Sequence, residues 1–131
     1  MLAEFRDYIK AHYDADYYFI GKVEQWRDKT IGLYGGTAGS RIEAVGRVSS
    51  YDVATVRILL HWNKNAKETE AAARTLYETI RYITRAEMGA YIVQYVDLTD
   101  GEPNFLGTDD VGVYEYAISV RIYYRRNINV S

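Results

Sequence analysis

The sequence predicts an α+β fold, a mostly antiparallel sheet with two helices packed on one face. Three observations lead there. From Val111 to Arg125 the even positions read Tyr114, Tyr116, Ile118, Val120, Ile122 and Tyr124, and the odd ones include Glu115, Ser119, Arg121 and Arg125. A side-chain period of two marks a long strand with one buried and one wet face. Tyr51 to Trp62 repeats the pattern, with Ala54, Val56, Ile58, Leu60 and Trp62 opposed to Tyr51, Thr55, Arg57 and His61. Between the two, Thr69, Ala72, Ala73, Leu76, Tyr77, Ile80 and Ile83 recur at helical spacing.

The elements follow in chain order. Leu2, Phe5, Tyr8, Ile9 and Tyr13 predict a helix from Leu2 to His12, broken by Asp14-Ala15-Asp16. Tyr17 to Val23 reads as a strand with a bulge at Gly21. Glu24 to Asp28 is a polar turn, and Lys29 to Tyr34 a second strand. Gly35-Gly36-Thr37-Ala38-Gly39-Ser40 opens a flexible arm over about residues 35–50, in which Ile42, Val45 and Val48 could form a short hairpin. After the Tyr51 strand, Asn63 or Asn65 caps a helix from Ala66 to Thr84, with Glu68 three residues beyond Asn65. Gly89 is read as its stop. Tyr91 to Leu98 is a shorter strand, less cleanly alternating. Asp97 to Gly112 is a connection holding Pro103, and residues 127–131 a tail. No repeat and no linker divides the chain, so residues 1–131 are expected to form one domain.

The terminal strand, at ~3.3 Å per residue, would span roughly 50 Å. A domain of this size gains little from such length unless something outside its core uses it. That expectation favours assembly over catalysis. Composition is compatible. Net charge is −2, so no basic field points to tight nucleic-acid binding. With no cysteine, disulfides and thiolate metal sites are excluded, and a reducing compartment is compatible. Met1 to Asp7 lacks the pattern of a signal peptide, and no apolar run reaches membrane-spanning length. The 14 tyrosines against 3 phenylalanines are unusual. Tyrosine is enriched where protein surfaces meet, although it is also a good strand residue.

Catalytic constellations are weak. His12 and His61 are the two histidines. Neither has a converging partner in the sequence, and His61 falls on the polar face of its strand. Asp97, Asp100, Glu102, Asp109 and Asp110 form an acidic cluster that superficially resembles a calcium loop but lacks its ligand spacing. A solvated turn is the simpler reading. A docking loop tipped by Phe105 and Leu106 is the better functional one. Gly35-Gly36-Thr37-Ala38-Gly39 lacks the lysine and hydroxyl ending of a phosphate loop. Among the arginines, Arg57 and Arg121 fall on polar faces of the long strands, as edge guards or as the lining of a channel.

Phe19-Ile20-Gly21-Lys22-Val23, Thr30-Ile31-Gly32-Leu33-Tyr34 with its glycine turn, Val53 to Ile58, the helix through Ala72, Leu76, Tyr77 and Ile80, and Phe105-Leu106-Gly107-Thr108-Asp109-Asp110 before Tyr114 to Ile122 resemble, in this order, the minor capsid or tail-terminator family of long-tailed phages and prophages. The likeness runs from about Leu2 to Arg125, and the segment from Gly35 to Ser50 matches least. It implies a non-enzymatic virion protein of the neck, at the head–tail joint, assembled in the bacterial host cytoplasm. It implies a hexameric ring that caps the tail tube, ends its polymerisation and offers a surface to the head. The implied partners are further copies of the chain, the tail-tube protein and the head connector, with DNA passing through the channel without sequence-specific binding. No cofactor, metal or membrane is implied. Within that frame Tyr51, Arg57, Arg121 and Tyr123 are assigned to subunit contacts or the channel, and Phe105, Leu106, Asp109 and Asp110 to axial docking. A head-closure or tail-completion adaptor is the alternative, and a small metal-dependent enzyme using the acidic loop is a third reading.

Overall fold

The computed structural model describes residues 1–36, 41–42 and 51–127. The element order is α1 (Leu2–His12), β1 (Tyr17–Ile20), β2 (Thr30–Gly35), β3 (Arg41–Ile42), β4 (Tyr51–His61), α2 (Ala66–Arg81), β5 (Thr84–Met88), β6 (Tyr91–Leu98), β7 (Asn104–Thr108) and β8 (Tyr114–Arg126). One sheet runs in the order β1-β2-β4-β8-β6-β5, with β3 paired to β4 and β7 to β8. Only β1 and β2 run parallel among these pairs; the others are antiparallel. The fold is the expected α+β class.

Alternation builds the core. Val56, Ile58 and Leu60 of β4 stand opposite Val120, Ile118 and Tyr116 of β8, while Leu33 and Ile31 of β2 stand opposite Ile58 and Leu60. This face receives Phe5 and Ile9 from α1 and Ala73, Leu76 and Ile80 from α2, all fully buried in one cluster. Both helices therefore lie on one side of the sheet. The Tyr13 hydroxyl donates to the Ala72 carbonyl at 2.8 Å and ties the end of α1 to α2. At the start of α2 the Asn65 side chain accepts from the Glu68 amide at 3.0 Å. The reciprocal half of the capping box is replaced. Asn63 accepts from the Asn65 amide at 2.9 Å and donates to the Glu68 carboxylate at 2.8 Å.

Four expectations change. First, α2 stops at Arg81, and Thr84 to Met88 forms β5 instead of prolonging the helix; Gly89, at φ +60°, turns the chain from β5 into β6. Second, the connection after Leu98 contains β7, which pairs with the start of β8. Third, β1 stops at Ile20, and Gly21, at φ +74°, leaves the strand. Fourth, the long strands use their length internally. β8 begins at Tyr114, and its 13 residues would span ~43 Å. Along one edge β7 and then β6 pair with β8, as β2 and then β3 pair with β4. Most of the arm expected over 35–50, Val45 and Val48 included, and the tail beyond Asn127 lie outside the described residues.

Candidate functional site

The sheet face away from the helices is the candidate site. Its cross-strand neighbours are fixed by register: Tyr34 opposite Arg57, Arg57 opposite Ser119, Thr55 opposite Arg121, Val53 opposite Tyr123, and Asp97 opposite Arg121. Tyr51, Arg57, Arg121 and Tyr123 all occupy odd positions of β4 and β8 and so share this face. Arg57 and Arg121 are exposed. The structure adds Tyr95 and Asp97 from β6. Tyr95 is half exposed and stacks on Tyr123, with ring centroids 4.5 Å apart and planes 13° apart. Packing against its neighbours, then the nearby groups Tyr123, Asp97 and Tyr51, raise the Tyr95 phenol above its ordinary pKa. Tyr95 escaped the sequence reading because the register of β6 shifts between Val93 and Tyr95, which breaks the alternation.

One end of this face is covered. Residues 21–29 cross it, and Gly32 allows the approach: a Cβ there would lie 2.6 Å from the Lys22 carbonyl oxygen and 2.7 Å from Val23 Cγ1. His61, expected on a wet face, is 1% exposed beneath this loop. Its Nδ1 lies 2.9 Å from Glu115 Oε2 and 3.8 Å from Asp109 Oδ2, and its Nε2 lies 3.0 Å from the Gln25 carbonyl oxygen. The loop carries Trp26, 78% exposed, and Arg27 paired with Glu24.

The second predicted set splits. Phe105 and Leu106 of β7 are 55% and 42% exposed. Phe105 rests on Tyr116 and Tyr114, at centroid distances of 5.2 and 6.2 Å. Asp110 is exposed, whereas Asp109 turns inward. Its Oδ1 accepts from the amides of Val111 at 3.0 Å and Val113 at 2.9 Å, and its Oδ2 is buried with no hydrogen-bond partner. Burial opposes ionisation of Asp109, but the amides of Val113 and Val111, then His61 and the Gly112 amide, outweigh it and hold the carboxyl below its ordinary pKa.

Asp97 sits on the open face, while Asp100 and Glu102 border a cleft of about 490 Å³ with Glu70, Arg74, Phe105 and Tyr116. The Glu102 carboxylate there lies 3.9 Å from the Arg74 guanidinium. Among the described residues no three His, Asp or Glu side chains converge as metal ligands. His12 is exposed at the end of α1, its Nδ1 2.8 Å from the Tyr8 carbonyl oxygen. Among the described residues no helix is long and apolar enough to cross a membrane.

No curated protein matches the chain. A family model described as bacteriophage tail terminator protein matches residues 8–126. The match takes in every strand among the described residues, α2 and the Tyr8 to His12 part of α1. By that match the chain belongs to the bacteriophage tail terminator family, whose members are structural components of the virion tail.

Proposed function

We propose that the chain forms a ring of six copies that caps the tail tube at the neck, ends tube polymerisation and offers a docking surface to the head. Each copy acts as a single domain without catalysis. The observation that carries the proposal is the uneven covering of the sheet. Both helices close one face, and no described helix closes the other, where Arg57, Arg121, Tyr95 and Tyr123 gather. A stacked tyrosine pair among arginines suits a contact that is aromatic at its centre and polar at its rim. The same arginines suit a channel wall past which DNA moves, held by charge without base contacts.

Ring closure needs two different complementary patches on each subunit. The two outer strands of the sheet supply unlike material. β1 presents Tyr17 and Ile20, both over one third exposed, whereas β5 presents Thr84, Arg85 and Glu87. Axial docking falls to Phe105, Leu106 and Asp110, with Asp109 shaping the turn beneath them.

Light scattering after size exclusion, at low and high concentration and with tail-tube protein added, tests this reading. A ring-sized species bound to tube protein is expected. A monomer that persists at high concentration with tube protein present overturns it. Binding to head-connector protein alone would move the chain to the adaptor role.

A further inference from the structure

Within the ring proposed above, on which this reading rests, we infer that Trp26 is a knob that enters a hole on the next copy of the chain, between the end of α1 and α2. Among the described residues Trp26 is the most exposed large apolar side chain, at 78%, and its indole has no hydrogen-bond or ring partner. Single exposed apolar residues are common. Trp26 differs in how firmly it is presented. The Arg27 amide donates to the Glu24 carbonyl at 3.0 Å and closes a turn around it. The Thr30 hydroxyl donates to the Arg27 carbonyl at 2.9 Å, and the Lys29 amide to the Trp62 carbonyl at 2.7 Å. On the other flank the Gln25 carbonyl oxygen lies 3.0 Å from His61 Nε2. A tryptophan on a turn fixed in advance loses little freedom on binding, which suits the anchor of a protein contact.

The hole lies on the helix side of the sheet. Its volume is about 420 Å³, within the range that holds a small organic group (~300–1,000 Å³), and Tyr13, Trp62, Ala71, Ala72 and Thr75 line it. The bond from the Tyr13 hydroxyl to the Ala72 carbonyl fixes two of these walls before anything binds. Asp14, exposed beside them, offers a carboxylate to the indole N–H, which ordinarily finds an acceptor when a tryptophan is buried. At 78% exposure roughly 150 Å² of the Trp26 side chain is left to cover.

Placement selects the occupant. His61 and Trp62 are successive residues, yet His61 lies beneath the loop on the open side, whereas Trp62 packs with the core on the helix side and lines the hole. Knob and hole therefore stand back to back at one end of the subunit and cannot meet within one chain. Copies set head to tail, open side to helix side, bring them together. Each copy then fills its neighbour's hole and has its own filled by the next, the two unlike patches that a closed ring requires. A partner of another kind would engage one of the two and leave the other empty.

Sedimentation velocity of the full chain, alone and with tail-tube protein, compares the parent with Trp26→Ala, Ala71→Arg and the double variant. Both positions are exposed, so the variants should fold, as circular dichroism checks. Each single change is expected to weaken association between copies at least about tenfold. The double change should weaken it no more than the worse single, because both remove one contact. In the parent, assembly should shift the tryptophan emission to the blue, since Trp62 is already only 8% exposed and Trp26 is the indole left to cover. Trp26→Ala that assembles as the parent does, or parent assembly with unshifted emission, overturns the knob and leaves the ring standing. Trp26→Ala that assembles normally but no longer binds tube protein overturns it too, and gives Trp26 to that partner. A parent that stays monomeric throughout overturns both ring and knob.

Discussion

Phe105→Ala separates docking from folding. Phe105 is 55% exposed, and its covered part lies on Tyr116 and Tyr114. A phenylalanine side chain offers ~200 Å², so ~90 Å² is covered within the chain and ~110 Å² stays free. At ~25 cal/mol per Å² the covered part contributes at most ~2 kcal/mol to folding, and alanine retains some of it. The free part, if it becomes buried on the tail tube, contributes ~2.7 kcal/mol per copy, or roughly 100-fold in affinity. The variant should therefore fold with a modestly lowered Tm and lose most of its binding to tube protein. Calorimetry measures the first, and co-sedimentation with purified tube protein the second. A variant that melts earlier yet binds the tube as tightly as the parent would show that Phe105 serves its tyrosine neighbours only.

Two further changes test the covered end of the open face. Gly32→Ala places a methyl group 2.6 Å from the Lys22 backbone oxygen, so the loop must shift; a loss of ~1–3 kcal/mol is expected in denaturant melts, and an unchanged midpoint would mean that residues 22–23 yield freely. Asp109→Asn removes a carboxyl held below its ordinary value of 3.8, whose stabilisation is present above that value and lost as pH falls through its lower folded value; the variant should be less stable at neutral pH, and its stability should fall less steeply below about pH 4 than the parent's, as acid titration followed by circular dichroism would reveal.

What the sequence made legible was local. The helix from Leu2 to His12, the Asn65 cap and the strand from Tyr91 to Leu98 depend on spacing and capping within a few residues, and each lies where expected. β5 was hidden because Thr84-Arg85-Ala86-Glu87-Met88 continues a helical composition, and its strand geometry comes from pairing with β6. β7 was hidden because Asn104 to Thr108 is short and mostly exposed, and its partner is β8. Tyr51, Arg57, Arg121 and Tyr123 could be placed on one face because a period of two needs no tertiary knowledge. The site of His61 could not, because its burial depends on a loop crossing the sheet at Gly32, a contact between segments about thirty residues apart.

Strand length first suggested assembly, and the structure removes that reason. The edges of β4 and β8 are matched within one chain, each by two shorter strands in succession on one side and by each other on the next. What an isolated chain leaves unsatisfied is a face, not a length. An antiparallel sheet can stand with one side in water, but such a side is ordinarily polar. Here it holds Tyr95 stacked on Tyr123 beside Arg121 and Asp97, a composition closer to the centre of a protein contact than to a solvated surface. In the proposed ring that face would be one contact surface, beside the two unlike outer strands β1 and β5 that supply the complementary patches between neighbours.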